Sequence, residues 1–305
     1  MGRRNKRPVR DLHGLLILHK PSGPTSADCL NMVKKALGNV KIGHAGTLDP
    51  LASGVLLALL GNGTKLAPYL TGHDKTYRGS LRLGQSTDTY DIQGEVLQEA
   101  ETNHISAAQL RDAILDWDAI KVQEVPAYSA AKHKGKPLYE LARQGKEVPI
   151  KTKEITVSGS EAISVAPPDA EFRLTCSSGT YVRSLVHSLG MRMGCGAVMT
   201  ALTREASGPF TLDTAVSMDE FLERPEELLE QSLLPLEDML PDWPKAVLSP
   251  EDTAKVKNGM RLSAEGQAGP GARAMFLDED GKALAVSETQ DVNGRTKWVI
   301  LRGLW

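Results

Sequence analysis

The stretch Gly43-His44-Ala45-Gly46-Thr47-Leu48-Asp49-Pro50-Leu51-Ala52-Ser53-Gly54 constrains this chain most, because it forces a tight loop directly before a buried strand. Its glycines permit positive φ and close approach of a ligand to the backbone, while Pro50 keeps Asp49 extended and out of a helix. Val55 to Leu60 is a short apolar run closed by Gly54 and Gly61, which reads as a buried strand and places the loop at a sheet edge. Asp49 is then a lone carboxylate in a glycine-punctuated loop. It serves either as ordinary Asp-Pro turn chemistry or as a positioned nucleophile.

The remaining elements alternate without a repeat. Leu15 to Leu18 predicts a strand and Thr25 to Leu37 a helix ended by Gly38. Asn62 to Leu70 reads as helical, Tyr77 to Leu83 and Glu95 to Glu99 as strands, and Ser106 caps a helix through Trp117. The segment 126–150 is a basic excursion holding a short helix, Pro137 to Arg143, opened by proline and closed by Gly145. Phe172 to Cys176 and Ala197 to Leu202 read as strands around a helix from Tyr181 to Met193. Helices and strands mixed without regular βαβ order imply an α+β fold, with a mixed, mainly antiparallel sheet flanked by helices.

Prolines at Pro241 and Pro244 mark a boundary. Beyond them, Ser249-Pro250-Glu251-Asp252 opens a helix that Gly259 ends, and three short strands follow around the turns Asp280-Gly281 and Asn293-Gly294. The expected organisation is a basic tail over 1–11, a main domain over 12–242, and a small β-barrel module over 243–305.

Charge separates along the chain although the net value is only −2. Arg3, Arg4, Lys6, Arg7 and Arg10 crowd the start, and Lys132, Lys134, Lys136, Arg143, Lys146, Lys151 and Lys153 a second segment. Asp213 to Asp242 is acidic, with Glu223, Glu226, Glu227 and Glu230 expected on one surface helix. An RNA-binding face opposed by a repelling one fits this distribution, and so does a pair of solvated faces. No apolar run approaches the ~20 residues that span a bilayer, and the basic start lacks the apolar stretch of a secretory signal. A cytoplasmic protein with no membrane contact is expected. Cys29, Cys176 and Cys195 are widely spaced and read as reduced packing residues, so neither a metal nor a cofactor is expected.

The string GHAGTLDPLASGVL, preceded by Leu18-His19-Lys20-Pro21-Ser22-Gly23-Pro24-Thr25-Ser26, resembles the bacterial TruB family of tRNA pseudouridine synthases. Asp74-Lys75-Thr76-Tyr77, Leu83 to Asp88, Val125 to Ala130, Leu138 to Arg143 and Ser178 to Arg183 follow in the family's order, so the resemblance runs from about residue 12 to 215. It implies isomerisation of uridine 55 in the TΨC loop of tRNA, with Asp49 as the catalytic carboxylate and Arg183 as its ion-pair partner. It also implies that Tyr77 stacks on the flipped-out uracil, with its hydroxyl as a late proton acceptor, and that His44, Tyr181 and Leu202 surround the nucleotide. The excursion with Lys132, Lys134, Lys136 and Arg143 would clasp the T arm. The terminal module resembles a PUA domain, which implies contact with the acceptor stem. A stand-alone enzyme is implied, monomeric and without guide RNA.

Read from the residues alone, a surface arginine on an amphipathic helix is the favoured reading of Arg183, core packing is the competing view of Tyr77, and core burial explains Leu202 equally well. Lys20 either packs on the loop or faces a phosphate. His19 stands where an acidic or amide residue is frequent in the family, and Thr203 where an arginine is common. Competing classes are a non-catalytic RNA-binding protein or chaperone, the related guide-RNA enzyme, and a carboxylate glycosidase using Asp88 or Asp91 as second acid. The glycine-rich Gly61-Asn62-Gly63-Thr64-Lys65 lacks the spacing of a phosphate-binding loop.

Overall fold

The computed structural model describes residues 9–264, 266 and 268–305. Arg3, Arg4, Lys6 and Arg7 of the basic tail lie outside the described residues. Arg10 is described, and its guanidinium makes two hydrogen bonds of 2.6 Å to the carboxylate of Glu226.

A nine-stranded mixed sheet forms the frame. Its main path runs Val157–Ala166, Asp169–Cys176, Lys75–Leu83, Ala197–Ser207, Ser53–Leu60, Gly14–Lys20 and Val216–Ser217. Ser53–Leu60 meets Ala197–Ser207 in parallel, and Gly14–Lys20 meets Val216–Ser217 in parallel; the other pairings are antiparallel.

The continuous apolar runs at Leu15–Leu18 and Val55–Leu60 are explained by burial on both faces of the sheet. Leu15, Ile17, Val55, Leu57 and Leu59 enter one core cluster, whereas Leu16, Leu18, Leu56, Ala58 and Leu60 enter another. The second cluster is closed by Cys29, Leu30 and Val33 of the helix Ser26–Ala36. Thr25 caps that helix with a reciprocal capping box to Asp28, which fixes where the chain turns away from the sheet. On the other half of the sheet, Leu185, Val186 and Leu189 of the helix Val182–Arg192 pack with Phe172, Leu174 and Trp117. A Leu→Ala change at any of these positions would cost roughly 2–5 kcal/mol.

Three local expectations are modified. The region from Asn62 begins as a 3-10 turn over Gly61–Leu66 and becomes α-helical only over Ala67–Thr71. The acidic stretch forms two short helices, Met218–Glu223 and Pro225–Ser232, because Pro225 starts a new helix at its first turn. The polar strand Val157–Ala166 has no counterpart in the sequence reading, since an edge strand exposed on most positions shows no apolar signal.

The C-terminal strands form a five-stranded sheet ordered Lys245–Val247, Arg273–Leu277, Ala283–Val292, Arg295–Gly303 and Leu262–Ser263, curled as a half-barrel. Val256, Ala274, Phe276, Leu284 and Trp298 make its own core. Met275, Leu277, Val286 and Leu304 instead join the cluster of Leu15, Val55 and Met239, so apolar packing continues into the main sheet. The three cysteines are buried and unpaired. Among the described residues no helix is long and apolar enough to cross a membrane.

Candidate active site

The loop after Ile42–His44 is held from several sides before it presents its carboxylate. Ser26 Oγ accepts a hydrogen bond from Leu48 N at 2.9 Å and donates to Leu48 O at 3.1 Å, which ties the loop to the first turn of a helix. Gly23 N donates to Pro50 O, and Ala52 N donates to Asp49 O. Lys20 is fully buried, and its ammonium donates to the carbonyls of Pro21 and Ala52 at 2.8 and 2.7 Å. Of its two expected places, packing on the loop is the one the structure shows. Desolvation lowers its pKa, which the charge of Asp49 partly opposes.

Gly54 is required where the loop enters its strand. It holds φ +106°, and a Cβ there would lie 2.2 Å from the backbone oxygen of Arg204. This close approach brings the Arg204 side chain behind the loop. Its guanidinium is buried and donates to Val55 O at 2.7 Å, Gly46 O at 3.1 Å and Thr47 O at 3.5 Å. Arg204 therefore staples both ends of the loop to one strand, a function the sequence reading missed because its acceptors are backbone carbonyls.

Asp49 meets Arg183 as expected from the resemblance. Arg183 Nε donates to Asp49 Oδ2 at 2.8 Å, while its other nitrogens donate to Thr89 O at 2.7 Å and Tyr128 O at 3.1 Å. The arginine is buried, whereas the Asp49 side chain keeps 39% of its exposure, so the carboxylate is held from behind and open in front. Asp91, also buried, approaches Arg183 Nη1 at 3.6 Å. Asp91 thus supplies a second counter-charge to the guanidinium, and Asp88 accepts from Glu95 N, which gives both suggested second acids local partners.

In front of Asp49 lies a cavity of ≈ 440 Å³, within the usual range for small-ligand sites. Asp49, Arg183, Tyr77, Tyr181, Leu202 and His44 all line it, so residues from four separate sequence segments converge. Tyr77 is 8% exposed, and burial raises its pKa against the opposing charge of Arg204. Tyr181 sits at the start of the arginine-bearing helix, fixed by two hydrogen bonds between its backbone and the Gln123 amide, and burial raises its phenol too. Desolvation, reinforced by Arg204, lowers the pKa of His44. Leu202 is buried on the strand that also carries Thr203 and Arg204, and Thr203 Oγ1 lies 2.9 Å from Ser53 Oγ. Lys75 also lines the cavity, and the sequence reading gave it no role.

Lys132, Lys134, Lys136 and Arg143 lie apart from the cavity and are exposed. Lys134 and Gly135, both with positive φ, turn a two-strand hairpin between Lys132–His133 and Lys136–Pro137. Arg143 ends the following helix with its guanidinium 5.4 Å from the ring centre of Tyr139. A solvated basic hairpin of this kind presents point charges without base-edge readout.

The arrangement combines an oriented carboxylate, a buried guanidinium paired with it at 2.8 Å, and aromatic walls. Such a site can attack or deprotonate a planar nucleoside held out of solvent.

Residues 34–182 match the N-terminal domain of TruB family pseudouridylate synthase, and residues 183–241 match the tRNA pseudouridylate synthase B C-terminal domain. A tRNA pseudouridine synthase B of Oleidesulfovibrio alaskensis is 52% identical over 300 residues, covering 96% of both chains. That of Thermotoga maritima is 38% identical over 283 residues, covering 91% of this chain and 90% of its own. Among solved structures, a Cbf5-Nop10-Gar1 complex superposes with a TM-score of 0.71 at 23% identity, over 96% of this chain and 85% of that one. An H/ACA RNP bound to a substrate RNA containing 2′-deoxyuridine gives 0.69 at 21% identity, over 99% and 92%. These two establish likeness of fold.

Proposed function

Because the chain belongs to the TruB family of pseudouridylate synthases, we propose that it converts uridine 55 in the TΨC loop of tRNA to pseudouridine, with Asp49 acting on a flipped-out nucleotide. Uridine isomerisation in tRNA is the activity of the relatives it matches at up to 52% identity, and the chain is an isomerase of that class. The observation that carries the role of Asp49 is its 2.8 Å ion pair with buried Arg183 at a cavity walled by Tyr77 and Tyr181.

The reaction breaks the bond between ribose C1′ and uracil N1, turns the base, and rejoins it through C5. Asp49 starts this by attack on the uracil ring, by attack on C1′, or by removing a ribose proton. Each route works through a carboxylate oxygen, and Arg183 holds that carboxylate from behind at 2.8 Å. Tyr77 would stack on the base once it has left the helix stack, a step that costs a few kcal/mol and least in a loop. Tyr181, Leu202 and His44 would border the nucleotide. The hairpin with Lys132, Lys134 and Lys136, and Arg143 beyond it, would track T-arm phosphates, while the terminal module over 243–305 would reach the acceptor stem. We take the enzyme to work as a cytoplasmic monomer without guide RNA, with its catalytic unit over 12–242 and a basic tail over 1–11.

Incubation of the purified chain with an unmodified tRNA transcript, without added cofactor or metal, should convert a single T-arm uridine. Conversion at other uridines only would overturn the site assignment, and persisting conversion by Asp49→Asn would overturn the carboxylate.

A further inference from the structure

Tyr90 holds φ +66°, a left-handed conformation in which a bulky side chain is strained. Among the described residues, the other non-glycine positions with positive φ, Lys134 and Asn293, turn hairpins, whereas Tyr90 sits in the longer connection between the paired strands Gln85–Thr87 and Val96–Glu99. Strain of this kind persists only where the surroundings over-determine it. Here the Tyr90 N–H donates to Thr87 O at 3.3 Å, and its carbonyl accepts from Met199 N at 3.1 Å, on the strand that carries Leu202 and Arg204. Its ring lies nearly face to face with the imidazole of His187, with centroids 3.8 Å apart and planes 10° from parallel. Beside the pair is a cavity of ≈ 300 Å³ lined by Tyr90, Gln123, Ser184 and His187, so the phenol has room to leave and the stack is what keeps it in place.

The chain neighbours of these two rings are the groups that hold Arg183. Thr89 O accepts from Arg183 Nη1 at 2.7 Å, and Asp91 Oδ2 lies 3.6 Å from the same nitrogen. Asp91 Oδ1 is already committed to Thr89 Oγ1 at 2.7 Å and Gln93 N at 3.1 Å, which leaves Oδ2 for the arginine. His187 follows Arg183 by one turn on the helix Val182–Arg192, so both project from one face toward the loop. The loop therefore meets the helix twice, at the guanidinium and one turn later at the stack.

We propose that Tyr90 and His187 are positioning residues for the isomerisation, a role that rests on the uridine reading above. Their stack fixes the loop 89–91 against the helix. That sets the Thr89 carbonyl and the Asp91 carboxylate on Arg183 and, through Arg183, the carboxylate of Asp49. A glycine at position 90 would adopt the same φ without strain. The chain instead places an aromatic residue there, at a conformational cost, in contact with the helix that bears Arg183.

The test measures kcat and KM on an unmodified tRNA transcript, and the urea midpoint, for the full chain carrying Tyr90→Gly, Tyr90→Phe, His187→Ala or His187→Phe. Conversion by the unaltered chain comes first; its failure would overturn the uridine reading, and this role with it, on grounds separate from those that follow. Tyr90→Gly should lower kcat on the order of 10-fold with KM little changed, since small misplacements far from the chemistry are felt at the reacting centre. Its urea midpoint should hold, because relief of backbone strain offsets the lost stack. Tyr90→Phe and His187→Phe keep two stacked rings and should stay within about twofold, whereas His187→Ala should match Tyr90→Gly. In an Arg183→Lys background Tyr90→Gly should cost less than about twofold more, because effects that pass through one group are not additive. Full kcat in Tyr90→Gly overturns the proposal, as does a raised KM at constant kcat, which would make Tyr90 an RNA contact. An additive loss in the Arg183→Lys background overturns it too, and so does a loss that Tyr90→Phe shares, which would place the role in the hydroxyl. Should Tyr90→Gly fold poorly, His187→Ala, alone and combined with Arg183→Lys, decides.

Discussion

Arg183 Nε lies 2.8 Å from Asp49 Oδ2, joining the first turn of a helix to a loop 134 positions earlier in the chain. The same guanidinium faces Asp91 at 3.6 Å and binds two backbone carbonyls, so it is fixed before substrate arrives. A carboxylate paired with a preset cation needs no reorganisation to keep its orientation as a substrate enters.

Arg183→Met should lower kcat by roughly 10²–10³-fold while tRNA affinity changes little, since loss of a preorganised electrostatic partner acts on the reacting centre. It should also destabilise the fold, because Asp91 is left buried without its cation. Single-turnover rates and filter-binding affinities measured side by side check this. Equal losses in the two would refute the assigned role.

Arg204→Met should be at least as damaging to stability. Three carbonyls of one loop and strand lose their donor, and orphaned buried acceptors cost on the order of 1–3 kcal/mol each. A fall in the urea midpoint at constant m-value, together with reduced turnover, is the expected pair of results. Arg204→Lys should recover only part of either, because an ammonium on a shorter stem does not reproduce the planar fork.

The difference between Arg183 and Arg204 explains what the sequence disclosed. Asp49, Arg183, Tyr77 and Tyr181 sit in strings specific enough to carry a family resemblance, and the structure brings them to one cavity. Arg204 and Lys75 act on carbonyls of Gly46 and Thr71, and a carbonyl has no residue identity to recognise. Similarly, double-sided burial made Leu15–Leu18 and Val55–Leu60 readable as strands, whereas Val157–Ala166 pairs through its backbone while exposing most side chains. Pro225 opens a new helix inside the acidic stretch, so Glu223 ends one helix while Glu226, Glu227 and Glu230 lie on the next.

Lys75 gives a pH-dependent stability of known sign. Its folded pKa of about 8 lies below the ordinary lysine value of 10.5, so between these limits the unfolded chain binds more protons than the folded one. Stability then rises with pH through that window, and the burial penalty is present in full below about 8. Relative to the unaltered chain, Lys75→Met should gain stability at neutral pH and lose that advantage by about pH 10.5. Urea unfolding at several pH values checks the slope; an equal pH dependence in both chains would show that the amine titrates normally.

The basic hairpin should act on binding and leave the chemistry alone. Lys132, Lys134 and Lys136 are exposed and do not line the cavity, so their replacement by alanine removes charge without disturbing Asp49. If each meets a phosphate, the logarithmic dependence of tRNA affinity on salt should become shallower by about 1 per lysine removed. Single-turnover kcat at saturating tRNA should stay within about twofold, since no preorganised charge at the reacting centre has changed. Arg143, whose guanidinium rests over Tyr139, should contribute less than the hairpin lysines because part of its charged face is already covered by the ring. Affinity titrations of the single and triple variants at several salt concentrations separate the two contributions. An unchanged salt slope in the triple variant would place the T arm on another surface.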